Sequence, residues 1–245
     1  MANLGLDYST TWGREITARS VRRAIQSLFL VPYTRFLSSL DVRGLEHVRG
    51  PGPFVFASNH TTNMDTPLVL SALPPRLRNK TVVAAAMDNF FMDARKAFRT
   101  VLVFNAIPID RHKVNRRSAQ LALELIEQGW NLLIYPEGGR SPDGDLHEFK
   151  GGAAYLAERA SVTVVPTYVH DAGHLQASKY AKAPRYLATP DEYRHHVVVA
   201  FGPPLRVGED ENIRKFNARI KDAVVHLGRS VSGDPSYGTT PDATA

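Results

Sequence analysis

The chain has 245 residues, a formal charge of +6 and no cysteine. Hydrophobic residues make up 43 % and charged residues 22 %, enough apolar material for one substantial domain with appendages. The absence of thiols excludes disulfides, thiolate metal sites and a cysteine acyl-enzyme, and the basic balance favours an acidic partner: nucleic acid, anionic lipid or a phosphorylated substrate.

Residues 1–10 read as a flexible lead. From Thr11 to Leu40, Trp12, Ile16, Ile25, Leu28, Phe29, Phe36 and Leu40 recur near helical spacing with arginines between them. Pro32 is expected to kink or divide this segment. Two readings stand: a basic amphipathic helix lying in a bilayer interface, or a helix packed on the core with a solvated basic face. No window approaches 18 apolar residues. Arg14, Arg19, Arg22 and Arg23, with only a short apolar run after them, argue against a secretory signal.

Beyond Leu40 the pattern alternates. Asp41 to Gly52 reads as a short strand and turn, and Phe54 to Ala57 as a buried strand ending at Asn59 and His60. A helix follows from about Asn63 to Ala72, stopped by Pro74 and Pro75. Thr81 to Ala86 is a strand, Asn89 to Arg99 a helix, and Val101 to Phe104 another strand. Arg116 to Gln128 is a helix capped by Gly129. Leu132 to Tyr135 is a buried strand that breaks at the glycine-rich turn Pro136 to Pro142. A helix runs from Lys150 to Arg159, and strands cover Val162 to Val169 and His196 to Phe201. Residues 170–195 show no regular pattern. Ile213, Phe216, Ile220, Val224 and Leu227 mark an amphipathic helix, and from Ser232 the composition is that of a disordered tail. The predicted architecture is α/β: three layers, a largely parallel central sheet flanked by helices, and an N-terminal amphipathic helical segment. Its parts are residues 1–40, a membrane-interface segment; 41–231, the main domain; and 232–245, the tail.

Three polar clusters sit just past apolar runs: Asn59, His60 and Asp65; Asp110 and Arg111; and Glu137, Gly138 and Arg140. Ligand sites of open α/β sheets gather at such strand ends, so the clusters are expected to face one pocket. A histidine at a strand-to-helix corner, with an acid five positions on, builds a base and its orienter. Arginines suit bidentate phosphate recognition, and glycines let backbone amides approach a ligand. The plainer alternatives are a surface His–Asp pair, a bridge from Arg111 to Asp110 or Glu137, and a simple tight turn at Gly138.

The motifs resemble those of the glycerolipid acyltransferases related to 1-acyl-glycerol-3-phosphate acyltransferase. The pattern Asn-His-x-x-x-x-Asp is met by Asn59, His60 and Asp65. The Gly-x-Ile-x-Ile-Asp-Arg type aligns with Asn105 to Arg111. Phe-Pro-Glu-Gly-Thr-Arg-Ser looks like Tyr135 to Ser141, and a strand ending in Val-Pro matches Val165 and Pro166. All four occur in family order across residues 40–205. Thr62, Asn105 and Gly139 depart from the common serine, glycine and threonine.

The resemblance implies transfer of a fatty acyl group from acyl-CoA or an acyl carrier protein to a free hydroxyl of lysophosphatidate or a related lysophospholipid. It implies that His60 is the general base and Asp65 its orienter. The acceptor is expected to meet Asn59, Arg111, Glu137, Gly138 and Arg140, with Lys150 assisting, and amides near Gly138 or the His60 turn to hold the oxyanion. Phe90, Phe91 and Met92 either wall an acyl channel or pack the core. No bound cofactor or metal is expected, since the thioester is already activated. The expected partners are the lysophospholipid, acyl-CoA and an anionic membrane surface, not nucleic acid. The place is the cytoplasmic face of the cell membrane, peripheral or monotopic. Glycerol-3-phosphate or another phosphoglycolipid is the alternative acceptor. A hydrolase lacks its Gly-x-Ser-x-Gly elbow, and a non-catalytic basic membrane-binding protein is the alternative of another class.

Overall fold

The computed structural model describes residues 4–111, 116–141, 145–172 and 195–238. Helix α1 (Ile16–Ile25), a π-helical turn over Gln26–Leu30 and α2 (Val31–Leu37) lead into strand β1 (Ser38–Arg43). Next come β2 (Phe54–Ser58), α3 (Asp65–Ala72), α4 (Pro75–Arg78) and β3 (Thr81–Ala86). The centre holds α5 (Met87–Phe90), α6 (Ala94–Phe104), β4 (Ala106–Ile109), α7 (Arg116–Glu127) and β5 (Asn131–Ile134). Last are α8 (Gly152–Arg159), β6 (Thr163–His170), β7 (His195–Phe201) and α9 (Ile213–Ser232). The sheet order is β1-β7-β6-β2-β5-β3-β4, and every pairing is parallel except β6 with β7.

β2 lies inside the sheet, and both of its faces are buried, as its unbroken apolar run requires. Val55 and Ala57 pack with Ile126, Leu156, Phe216 and Ile220 in one layer. Phe54 and Phe56 point the other way, into Leu68, Leu70, Val165 and Phe201. The expected three-layer, largely parallel sheet is therefore present. Among the described residues no helix is long and apolar enough to cross a membrane.

Four local expectations change. Val101 to Phe104 is the last turn of α6, not a strand. Ala97 and Val101, one turn apart, bury together beside Phe91, and Asn105 caps the helix in the left-handed region at φ 54°. A four-residue apolar run does not itself distinguish the two conformations. Pro32 does not divide the first segment. It enters at the start of α2, and the chain widens just before it, with Val31 N donating to the Gln26 carbonyl five residues back. β1 begins at Ser38, so the sheet reaches into the segment assigned to residues 1–40. The tail also starts later than its composition suggests. α9 ends on Gly233 at φ 71°, and the Tyr237 ring then packs against Tyr168 with centroids 5.2 Å apart. Gly228 makes this return possible, because a Cβ there would meet the Tyr237 ring at 2.3 Å. Residues 239–245 and 173–194, including most of the irregular stretch, lie outside the described residues.

Candidate active site

Strands β2 to β6 run the same way, so the segments after β2, β4 and β5 emerge at one edge of the sheet. His60 stands two residues past β2, and Asp65 opens α3. Four donors converge on the Asp65 carboxylate, which is 0 % exposed. His60 Nδ1, Thr61 N and Thr62 N all lie 2.8 Å from Oδ2, and Thr62 Oγ lies 2.9 Å from Oδ1. The positive end of α3 adds to this field. A carboxylate only accepts, so Nδ1 carries the proton and Nε2 is left as the acceptor. His60 lines a cavity, which makes Nε2 the nitrogen available to a substrate.

The cavity measures about 470 Å³. Its lining includes His60, Asn63, Thr66, Arg111, Tyr135, Gly138, Gly139 and Arg140. Its other walls are Val83, the alanines 84–86, Phe90, Phe104, Ala106 and Ile109, with Lys96 and Thr100 from α6. Three successive alanines keep the β3 wall low, so open space remains beside it. The Lys96 ammonium sits 5.1 Å from the Phe90 ring centre. Of the three aromatic and sulfur side chains considered for a channel, only Phe90 reaches the cavity. Phe91 is fully buried in the core, and Met92 is exposed.

A histidine bonded to a buried acid, two arginines and apolar side chains in one cavity are chemistry that suits a ligand with a phosphate, a hydroxyl and a fatty chain. Independent comparisons point the same way. Residues 39–170 match the family model described as Acyltransferase. The chain belongs to the acyltransferase family.

Relatives include 1-acyl-sn-glycerol-3-phosphate acyltransferase alpha of Mus musculus, 26 % identical over 241 residues, or 96 % of this chain and 78 % of that protein. The Homo sapiens form is 30 % identical over 130 residues, covering 52 % of this chain and 44 % of that protein. A probable enzyme of the same name from Mycoplasma pneumoniae is 30 % identical over 174 residues, 67 % of this chain and 60 % of that one. Several relatives are thus matched over about half their length or less. The crystal structure of the 1-acyl-sn-glycerophosphate (LPA) acyltransferase PlsC from Thermotoga maritima superposes with TM-score 0.65 at 20 % identity, covering 93 % of this chain and 86 % of that one. That likeness is one of fold.

Several of the expected substrate ligands are engaged within the protein. Glu137 is 9 % exposed and spent inside the protein. Its Oε1 accepts from His60 N at 2.8 Å, and its Oε2 accepts from Ser141 Oγ at 2.5 Å and His147 N at 3.0 Å. With Ser141 N donating to the His60 carbonyl at 2.8 Å, this stitches the turn after β5 to the histidine turn. Asn59 is likewise internal. Its amide pairs both ways with the Val169 backbone, at 3.0 and 2.8 Å, and so ties the end of β2 to β6. Lys150 is not among the cavity-lining residues. Its ammonium donates to the Arg111 carbonyl at 2.6 Å, and its stem fills the place where a Cβ on Gly138 would be. Gly138, at φ 72°, is therefore required for the turn, and its N–H is taken by the Tyr135 carbonyl at 3.0 Å. The N–H groups of His60, Thr61 and Thr62 are engaged as well, which removes them as oxyanion donors. Gly139 lines the cavity, and its N–H has no partner among the described residues.

Arg111 and Arg140 do line the cavity. Arg111 pairs with neither Asp110 nor Glu137. Its Nε and Nη2 reach Asp88 Oδ2 at 3.1 and 2.6 Å, across from α5. Asp88 carried no signal in the sequence, because its partner lies 23 residues away. Tyr135 did stand in a motif, but only as the aromatic before Pro136. In three dimensions its ring stacks on His60, with centroids 4.0 Å apart and planes at 19°.

Proposed function

We propose that the chain transfers a fatty acyl group from a coenzyme A or carrier-protein thioester to the free hydroxyl of lysophosphatidate or a closely related lysophospholipid. The observation that carries this reading is His60 locked on buried Asp65 in a cavity that Arg111, Arg140 and apolar side chains also line. The names of the relatives agree with it. The acceptor hydroxyl oxygen attacks the thioester carbonyl carbon while His60 Nε2 takes its proton. Asp65 orients the ring and balances the imidazolium. The oxyanion receives the Gly139 N–H. When the intermediate collapses, the C–S bond breaks and the leaving sulfur takes the proton from Nε2. An ester and a free thiol result, and the base is restored. Arg140 and the free edge of Arg111 grip the phosphate. The reading assigns no resident cofactor, because the thioester brings its own activation.

The acyl donor and acceptor are insoluble or amphipathic, and the N-terminal helices offer a membrane contact. They are amphipathic the unusual way round. Arg22, Gln26 and Thr34 are buried against the body, while Leu28, Phe29 and Phe36 are 68, 68 and 67 % exposed, with Arg23 and Arg35 exposed beside them. Such a surface suits an anionic bilayer interface and supports a reading in which the enzyme is peripheral or monotopic, on the cytoplasmic face. Replacing Leu28, Phe29 and Phe36 together by Ser should abolish co-sedimentation with anionic liposomes. Unchanged sedimentation would remove these helices as the anchor.

The test of the reaction is an acyl-transfer assay with long-chain acyl-CoA against glycerol-3-phosphate, lysophosphatidate, other lysophospholipids and neutral monoacylglycerol. The fastest transfer should go to lysophosphatidate. Hydrolysis of the thioester without transfer to any acceptor would contradict the proposal.

A further inference from the structure

We infer that Tyr135 is a positioning residue for the general base: its ring fixes the plane of the His60 imidazole and supports the charge that plane acquires during transfer. The inference rests on His60 being the base. Three contacts close a loop around that ring. Asp65 Oδ2 holds Nδ1 at 2.8 Å in the ring plane. The Tyr135 face covers the imidazole at 4.0 Å and 19°. The Tyr135 hydroxyl meets Thr66 Oγ at 2.7 Å, and Thr66 is the residue after Asp65. In-plane and face-on supports therefore hang from the same first turn of α3. Rotating the imidazole about its Cβ–Cγ bond would break the Asp65 bond and drive ring edges into the phenol.

The electrostatics act in the same direction. An aromatic face carries the negative side of its quadrupole and favours a cation laid on it. His60 is neutral when the acceptor binds and cationic once it has taken the proton, so the face is worth more in the transition state than in the ground state. Burial, with Asp65 nearby, pushes the phenol well above its ordinary pKa. Tyr135 thus stays neutral and does not compete as a base. Among the described residues, the other charged groups about His60 are Asp65, Glu137 and, on the lining of the same cavity, Arg111, Arg140 and Lys96. Substitution at Tyr135 leaves all of them in place. Phenylalanine in place of Tyr135 would keep the face and lack the tether.

The experiment compares Tyr135→Leu, Tyr135→Phe and Thr66→Val in the full chain, with His60→Ala as reference, by kcat, acceptor KM and the pH profile of kcat/KM. Tyr135→Leu should lower kcat by about tenfold or more with acceptor KM within about twofold, as expected for support given only in the transition state. Its acid limb should move to lower pH by about half a unit, the direction expected when an imidazolium loses a favourable face. Tyr135→Phe and Thr66→Val should keep the wild-type limb and lose only about two- to fivefold in kcat through a looser ring. Circular dichroism and thermal melts confirm that each variant is folded. If Tyr135→Leu unfolds, Tyr135→Trp and the Thr66→Val variant carry the test: tryptophan should retain the limb. A folded Tyr135→Leu with wild-type kcat and limb overturns the inference, as does a limb that shifts equally in Tyr135→Phe. If His60→Ala remains active, it is the base assignment that fails.

Discussion

Removing the Glu137 side chain separates an organiser from a substrate ligand. Glu137→Ala deletes one buried carboxylate and strands three donors: His60 N at 2.8 Å, Ser141 Oγ at 2.5 Å and His147 N at 3.0 Å. A hydrogen bond to a charged group is worth about 1.5–3 kcal/mol, but the three share one acceptor and do not add. Ser141 is 1 % exposed, so its hydroxyl bears the full cost of burial, the partly buried His60 N–H bears part of it, and His147 is exposed. A net loss of about 3–5 kcal/mol follows, which for a domain of this size lowers Tm by roughly 6–20 °C. Glu137→Gln keeps one carbonyl for His60 N and turns its NH₂ toward the remaining donors, so its loss should be about 1–2 kcal/mol. The histidine turn then loses its anchor, and kcat should fall by about 10² through misplacement of the base, with acceptor KM within about twofold. Differential scanning calorimetry and acyl-transfer kinetics read both effects. A Glu137→Ala protein that melts like wild type, keeps its kcat and raises acceptor KM would refute the internal role and return Glu137 to the substrate.

Three further outcomes are expected. Asp65→Asn keeps the shape of the orienter but can donate to Nδ1, which moves the imidazole proton to Nε2; kcat should fall by about 10³–10⁴ with little change in KM, measured in the same assay. Arg111→Ala and Arg140→Ala should each cost about 10- to 100-fold in kcat/KM for lysophosphatidate and little for neutral monoacylglycerol; equal losses on both acceptors would remove the phosphate assignment. Burial pushes the Tyr168 phenol up to about 12, and burial and Tyr168 push Tyr237 higher still. Between the unfolded value near 10 and those folded values the unfolded chain has fewer protons bound, so stability present below pH 10 declines as pH rises above it. Urea melts from pH 8 to 11 should show this decline, and the Tyr168→Phe, Tyr237→Phe double variant should flatten it.

The frame of the molecule was legible wherever a signal was local. The continuous apolar runs at Phe54–Ala57 and Thr81–Ala86 are strands, and the acid five residues after His60 reaches its ring because α3 begins there. What was not legible depends on partners distant in sequence. Asn59 and Glu137 carry the right chemistry for a ligand, and nothing in their neighbourhood announces that Val169, 110 residues away, and His60, 77 residues away, consume it. Arg111, expected from its strand-end position to meet the acceptor, lines the cavity, but its partner Asp88 belongs to another strand-to-helix corner. The N-terminal segment was ambiguous for a different reason. Periodicity identifies two faces of a helix, while the buried side here is set by polar hooks, with Gln26 Nε2 on the Val103 carbonyl at 2.8 Å and Thr34 Oγ on Ser71 Oγ at 2.9 Å. Those hooks turn the apolar side outward, against the usual sense of burial.

The central claim is that one imidazole, held by Asp65, moves the proton of an alcohol during acyl transfer. Purified wild-type and His60→Ala proteins, matched for folding by circular dichroism and for liposome binding, can be assayed with radiolabelled acyl-CoA and lysophosphatidate. Wild type should form labelled phosphatidate and free thiol in equal amounts. The alanine variant should bind vesicles as well and form neither above background. Phosphatidate produced by the variant at a rate near that of wild type would contradict the account.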